Sequence, residues 1–343
     1  MARYIGIDLG TSTTLVFIRG KGVVLEEPSA VAVSKTTGEL LEVGTEAAYL
    51  AGKTPPDVDV IRPMSEGVIS KYEYTLEMLR YFLRSAMPKR QIFKPYVAVC
   101  VPGSVTDVEE RAVRDALTQL GAKYTYLIEE PLAAAIGAGL DTDEADAKMI
   151  IDIGGGTCDV AVISYGKIAV SESIRVAGDK FDEAIIRYVR RKHNLLIGER
   201  TAERVKCEIG SVWQREEPLT LEVSGKSLVE GLPRAVRLSS AETVTALEEP
   251  VTLIIEAVCS VIEKTPPEML RDIHKSGLVM TGGGSKLYGL DKLISNVVGI
   301  KTRVAENAQT AVAIGTETAL ERFVRDPDKY PEFSRSKRKK DHI

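Results

Sequence analysis

Short apolar runs alternate with longer amphipathic stretches along this chain, so strands and helices are expected in turn, as in an α/β architecture. Ile5-Gly6-Ile7-Asp8-Leu9 and Thr13-Thr14-Leu15-Val16 flank a Gly-Thr-Ser turn and predict a β-hairpin. β-Like segments continue near 23–33, and residues 34–63 form a polar stretch of no dominant period. A helix is expected over 72–85 and a buried strand over 96–102. Thr106-Asp107-Val108-Glu109 is a capping box that launches a helix to about Leu120. A strand over 126–128 then runs into Glu129-Glu130-Pro131 and an Ala/Gly-rich helix. The second half repeats the plan: a hairpin over 150–161, a helix from about Asp182, an excursion over 195–238, a helix over 241–263 and a strand over 277–280.

The repetition extends to chemistry. Asp8-Leu9-Gly10-Thr11-Ser12-Thr13 in the first hairpin is matched by Asp152-Ile153-Gly154-Gly155-Gly156-Thr157 in the second. Each copy is a strand ending in Asp, then a Gly-rich turn whose backbone N–H groups can cradle phosphate. Two such turns facing each other could hold a polyphosphate from both sides, with the aspartates placed for a divalent cation. A single copy would read as an ordinary turn; two carboxylates ending buried strands favour the phosphate reading.

Composition narrows the class. The 343 residues exceed what one core comfortably supports, so two domains are expected. No apolar run approaches the roughly 20 residues that span a bilayer, and no secretory leader precedes the first strand, so the expected location is cytoplasmic. Cys100, Cys158, Cys207 and Cys259 lack metal or disulfide spacing and read as small core residues, while His193, His274 and His342 form no metal pattern. The net charge of -4 divides into a basic tail over 334–343, five cations against Asp341 for +4, and a body of -8. An acidic body argues against nucleic-acid binding by the fold.

Three further places could complete a nucleotide site. Glu130 falls at a helix N-terminus, where a carboxylate is stabilised and could orient or deprotonate a water; plain capping is the alternative. Thr281-Gly282-Gly283-Gly284-Ser285 follows a strand and allows close backbone approach to a base or ribose. On the helix carrying Glu203-Arg204-Val205-Lys206, Glu203 and Lys206 share a face and could bracket adenine or ribose hydroxyls, or form a surface ion pair.

Together these motifs resemble the actin, heat-shock chaperone and sugar kinase ATPase superfamily. The likeness is nearer to the MreB family of bacterial actins, including its Mbl-like members. It is carried by Asp8-Leu9-Gly10-Thr11, Ile61-Arg62-Pro63-Met64, Ile128-Glu129-Glu130-Pro131, Asp152-Ile153-Gly154-Gly155-Gly156-Thr157, Ile197-Gly198-Glu199-Arg200-Thr201-Ala202-Glu203, Glu263-Lys264-Thr265-Pro266-Pro267-Glu268 and Thr281-Gly282-Gly283-Gly284. The resemblance implies an actin-like ATPase fold of two related domains, each with a ribonuclease-H-like core, and four subdomains around a nucleotide cleft. Their implied bounds are 1–33, 64–143 and 312–330 for IA, 34–63 for IB, 144–181 and 241–311 for IIA, and 182–240 for IIB, followed by a tail over 331–343.

For the site, the resemblance implies that Asp8 and Asp152 face Mg2+ through water and that Glu130 and Thr157 position the hydrolytic water. It implies ATP phosphates against Gly10, Thr11, Ser12, Thr13, Gly154, Gly155, Gly156 and Thr157. Adenosine is implied against Glu203, Arg204, Lys206, Gly282, Gly283, Gly284 and Ser285. The implied activity is ATP hydrolysis coupled to antiparallel double protofilaments. These would lie on the inner face of the cell membrane and organise the membrane-bound cell-wall synthesis machinery that determines cell shape.

The chain departs from the family pattern at Cys158, where a second threonine is usual, and near Thr13, where an Asn is frequent; neither removes a carboxylate. The resemblance places a membrane-inserting loop at Met87, Ile92 and Phe93, interleaved with Lys89, Arg90 and Lys94. Burying two such apolar side chains is worth roughly 1.5–3 kcal/mol each, and each nearby cation about 1 kcal/mol on an anionic surface. A filament would multiply that weak contact; a packed corner is the alternative. The basic tail could add to attachment or simply be a solvated terminus. A small-molecule kinase would use the same turns but needs a base aimed at an acceptor hydroxyl, and a chaperone needs a peptide-binding domain.

Overall fold

A computed structural model describes residues 4–87, 94–102 and 106–326. The chain divides into two compact units, Met1–Asp141 with Gln309–Ile343, and Thr142–Ala308. The first unit contains β1 (Tyr4–Leu9), β2 (Thr13–Ile18), β3 (Gly22–Pro28), β4 (Val31–Ser34), β5 (Leu40–Val43), α1 (Thr45–Leu50), β6 (Val58–Ile61), β7 (Met64–Ser65) and β8 (Val68–Ile69). It continues through α2 (Tyr72–Ala86), β9 (Tyr96–Val101), α3 (Asp107–Gln119), β10 (Tyr124–Glu129) and α4 (Glu130–Gly137). The second unit holds β11 (Lys148–Ile153), β12 (Cys158–Ser164), β13 (Lys167–Ile174), α5 (Gly178–His193), β14 (Leu195–Leu196), α6 (Glu199–Ile209), β15 (Thr220–Ser227) and β16 (Pro233–Ser239). It ends with α7 (Ser240–Lys264), α8 (Pro267–Ser276), β17 (Leu278–Thr281), α9 (Leu290–Val298) and β18 (Thr302–Val304); α10 (Ala311–Arg325) returns to the first unit.

Both units are built on one sheet plan. The first orders its strands β10-β9-β1-β2-β3, with β1, β9 and β10 parallel and β2 and β3 antiparallel. The second orders them β13-β12-β11-β17-β18, with β11, β17 and β18 parallel and the other two antiparallel. The repeat seen in two turns is therefore a repeat of whole sheets.

Strand periodicity sets the cores. Ile5, Ile7 and Leu9 of β1 join Val97, Val99 and Val101 of β9 beneath Met78, Phe82 and Leu117. In the second unit Met149, Ile151 and Ile153 of β11 join Phe181, Ile254, Val258 and Met280. The intervening positions Ala98, Cys100, Ile150 and Asp152 are buried too, as parallel strands flanked by helices require. On that other face of the first sheet the backbone comes close to α10: a Cβ on Gly6 would lie 2.7 Å from the Glu317 nitrogen.

The expected helix over 72–85, the capping box at Thr106 and the strand over 96–102 correspond to α2, α3 and β9. Residues 34–63, the stretch expected as subdomain IB, form β5, α1 and β6, with β4 at the centre of a three-stranded sheet over a small core of Ala30, Ala32 and Ala47. Two expectations need correction. Helix α5 begins at Gly178, four residues before Asp182, because its first N–H groups bond the carbonyls of Gly154 and Gly155. Cys100 and Cys158 are buried, but Cys207 is exposed and is no core residue. Among the described residues, no helix is long and apolar enough to cross a membrane.

Candidate functional site

In the first unit, the carboxyl ends of three adjacent parallel strands converge. Asp8 lies near the end of β1, Cys100 near the end of β9, and Glu130 just beyond β10 at the start of α4. One ligand atom from each lies within 4.8 Å of the others, and among the described residues this is the group of three whose atoms lie close enough together to hold a cation. Cys100 donates to Asp8 Oδ1 at 3.3 Å. Burial pushes the Asp8 carboxyl up to about 6, and the thiol contact only partly offsets that. The Cys100 thiol is itself raised well above its ordinary value by burial and by the charges of Asp8 and Glu130. Glu130 is buried at the N-terminus of α4, with Pro131 in the first turn.

The turn joining β1 to β2 is fixed from behind. Ser29 donates through Oγ to the Gly10 carbonyl at 2.6 Å and through its N–H to the Ser12 carbonyl at 2.9 Å. The Gly67 N–H donates to Thr11 Oγ1 at 2.8 Å. Thr11 is thus buried and holds the turn, and Thr13 opens β2 against Pro28. With the carbonyls of Gly10 and Ser12 engaged on the inner side, the turn is held in one shape.

The second unit gathers its own half. Asp152 pairs in register with Thr281, so the turn Gly154-Gly155-Gly156-Thr157 and the turn Gly282-Gly283-Gly284-Ser285 leave the carboxyl ends of neighbouring parallel strands. Such ends are where open α/β sheets bind ligands. The Gly154 N–H closes its turn on the Thr157 carbonyl at 2.9 Å, while the Gly154 and Gly155 carbonyls accept from Gly178 and Asp179 at 3.1 and 2.8 Å. Gly282 has φ 79 and ψ 161, a region open essentially to glycine, and a Cβ there would overlap Ile153, lying 2.8 Å from its nitrogen. The Gly282 turn is therefore packed against the backbone of Ile153 at the end of β11. Ser285 is buried and donates to the Gly282 carbonyl at 2.7 Å.

Lys206 on α6 reaches the same place. Its ammonium donates to the Gly178 carbonyl at 3.1 Å and pairs with Asp182 at 2.7 Å. Its ion-pair partner is Asp182, not the i−3 neighbour Glu203. Arg204 is turned to β15, donating to the Glu222 carbonyl at 2.8 Å and approaching Glu208 at 3.9 Å. That geometry commits its guanidinium away from Lys206. Met87, expected in a membrane loop, closes α2 and packs partly buried against the first unit's core. Ile92, Phe93 and the tail over 331–343 lie outside the described residues.

Sequence reasoning missed Cys100, Ser29, Gly67 and Asp182. Only Asp182 carried a local signal, an acid one turn after Gly178 on a helix that starts beside the Gly-rich turn.

Comparison with known proteins follows the same lines. The family described as MreB/Mbl protein matches residues 2–327. The cell shape-determining protein MreB of Escherichia coli (strain K12) is 47% identical over 322 residues, 92% of this chain and 93% of that protein. The crystal structure of MreB 5 of Spiroplasma citri bound to AMPPNP has a TM-score of 0.90 at 35% identity, covering 97% of this chain and 98% of that one. A MamK double helical filament matches with a TM-score of 0.80 at 20% identity, over 94% and 99% of the two chains, and so shares the fold. The architecture is the actin-like one expected from the motifs.

Proposed function

The chain belongs to the MreB/Mbl family, and from that premise we propose that it is an ATP-hydrolysing, actin-like protein whose filaments determine cell shape. The observation that carries this reading is the repeated sheet with a fixed Gly-rich turn and a carboxylate at the carboxyl end of its central strand. Relatives support it: the E. coli protein is named for cell shape, and the S. citri protein was crystallised with a nucleotide. A kinase acting on a small molecule has no comparable support.

In this reading each unit contributes its Gly-rich turn to nucleotide binding. Gly10, Thr11, Ser12 and Thr13 cradle phosphate from the first, and Gly154, Gly155, Gly156 and Thr157 from the second. Adenosine lies against Glu203, Lys206 and the turn from Gly282 to Ser285. Asp8 and Asp152 would hold Mg2+ largely through water, as a hard cation that dehydrates reluctantly requires. The fit is supported at Asp8, where a carboxylate is kept in a site that disfavours its charge unless a cation is near. The metal's contribution when bound is to neutralise charge on the phosphates. Glu130 accepts a proton from the attacking water while Thr157 orients it; the water oxygen bonds to the γ-phosphorus as the bond to the ADP oxygen breaks.

In this reading the first unit comprises subdomains IA and IB and the second IIA and IIB, with the changes of unit at 141/142 and 308/309 in place of 143/144 and 311/312. Filaments are antiparallel pairs of protofilaments, attached to an anionic membrane surface through Ile92 and Phe93 and engaged with cell-wall synthesis proteins. Purified chain given ATP and Mg2+, with no acceptor, is expected to scatter light and release phosphate together. Phosphorylation of a sugar or acid without polymer would replace this reading with the kinase one.

A further inference from the structure

We propose that Asp182 is the positioning residue for Lys206, fixing the direction in which the ammonium meets the nucleotide. The inference rests on the reading that Lys206 contacts adenosine. A lysine ammonium is a compact charge on a flexible four-carbon stem and does not orient itself. Here two of its three N–H donors are accounted for, by Asp182 Oδ2 at 2.7 Å and the Gly178 carbonyl at 3.1 Å. In a tetrahedral ammonium, two pinned donors fix the direction of the third. Both acceptors lie on α5 four residues apart, hence on one face of the helix. Gly178 is in turn bonded through its N–H to the Gly154 carbonyl at 3.1 Å, so the lysine is referenced to the turn proposed to hold phosphate.

The pair is not an ordinary surface ion pair. The side chains of Lys206 and Asp182 are only 16% and 13% exposed. Asp182 Oδ1 is buried with no hydrogen-bond partner among the described residues. Burial outweighs the attraction of Lys206 and, with the like charges of Glu203 and Asp179, pushes the Asp182 carboxyl up to about 6. A buried pair held at such cost is weak evidence for a stabilising role, and it lies where a ligand site is independently proposed.

The test is titration of the full-length chain with fluorescent ADP and Mg2+, alongside a thermal melt of each variant. Asp182→Asn keeps the shape and removes the charge; it should weaken affinity about tenfold or more, the lower end of the loss seen at metal sites when the partner orienting a ligand is removed. In ATP turnover the same change should raise KM and leave kcat nearly unaltered, a split that general loosening would not give. Asp182→Glu should recover part of the affinity. With Lys206→Ala already in place, Asp182→Asn should add no further loss. If Lys206→Ala weakens binding but Asp182→Asn does not, or if the two losses simply add, the positioning role is refuted while the nucleotide reading stands. If Lys206→Ala itself binds normally, the adenosine contact and this inference fall together.

Discussion

Replacing Gly315 by alanine should drive α4 away from α10. Gly315 faces α4 at backbone distance: a Cβ there would lie 2.7 Å from the Ala133 carbonyl carbon and 2.8 Å from the Gly137 nitrogen, and closer still to the Ala133 oxygen. Ordinary contact begins near 3.4 Å, and the Ala133 oxygen is the nearest atom, so α4 must retreat by more than about 1 Å. Sliding along the interface offers no relief, since Gly137 sits against Ala311 with as little room, 2.6 Å from a built Cβ to that carbonyl carbon. Alanine in a helix returns about 1 kcal/mol over glycine, while overpacking costs about 1–3 kcal/mol and occasionally more. A net loss of up to about 2 kcal/mol, and more if α4 cannot yield, is expected, read as a lower urea midpoint at unchanged slope. Because α4 begins at Glu130, the displacement should also slow phosphate release, by about 100-fold for a shift near 1 Å. Gly198→Ala is the control: this cap of α6 has φ -89 and nothing within 4 Å of a built Cβ, so it should lose only the roughly 0.5–1 kcal/mol of a poorer N-cap and leave α4 and α10 in place. Wild-type midpoint and turnover in Gly315→Ala would refute the claim that backbone-to-backbone packing of these helices sets Glu130.

The other expectations are briefer. The Asp182 carboxyl is held near 6 in the fold against 3.8 in its absence, so the folded chain binds the extra proton and its stability should fall as pH rises through about 4 to 7, by about 3 kcal/mol at most. Lys206, Glu203 and Asp179 are the charged groups that set this value. Urea midpoints of wild type and Asp182→Asn should diverge over that range, and parallel curves would contradict the assignment. Gly282→Ala combines a forbidden backbone region with overlap on Ile153 and should cost about 2–4 kcal/mol and most nucleotide affinity; normal melting would show that the turn relaxes easily. Ile92→Ser with Phe93→Ser should release polymer from anionic vesicles, with unchanged co-sedimentation removing the loop from the attachment.

What could be read from the sequence was whatever is decided locally. The capping box at Thr106 is satisfied by Glu109 alone, and Pro131 marks the start of α4 without reference to anything distant. The Asp-Gly turns were visible because each is a strand end and a loop in one short segment. Residues 34–63 were illegible because β5 and β6 are only 4 residues each and mostly half exposed, too short and too mixed for an alternating pattern. The start of α5 was misplaced because Ala177 offers no capping side chain; the helix is begun by carbonyls 24 residues upstream at Gly154 and Gly155. Spacing offers Lys206 only Glu203 as an ion-pair alternative, while its partner Asp182 is 24 residues away on another helix. Likewise, nothing local says that Gly137 and Gly315 touch.

The most direct measurement is Mg-ATP affinity of two single variants, one per unit, Asp8→Asn and Asp152→Asn, taken with the melting temperature of each without ligand. Asp8 is a carboxylate that burial disfavours, so its amide should melt no lower than wild type near neutral pH while binding Mg-ATP at least about tenfold more weakly. Asp152→Asn should lose affinity to a similar degree. Undiminished affinity in either variant would contradict a role for that unit's turn and carboxylate in holding the nucleotide.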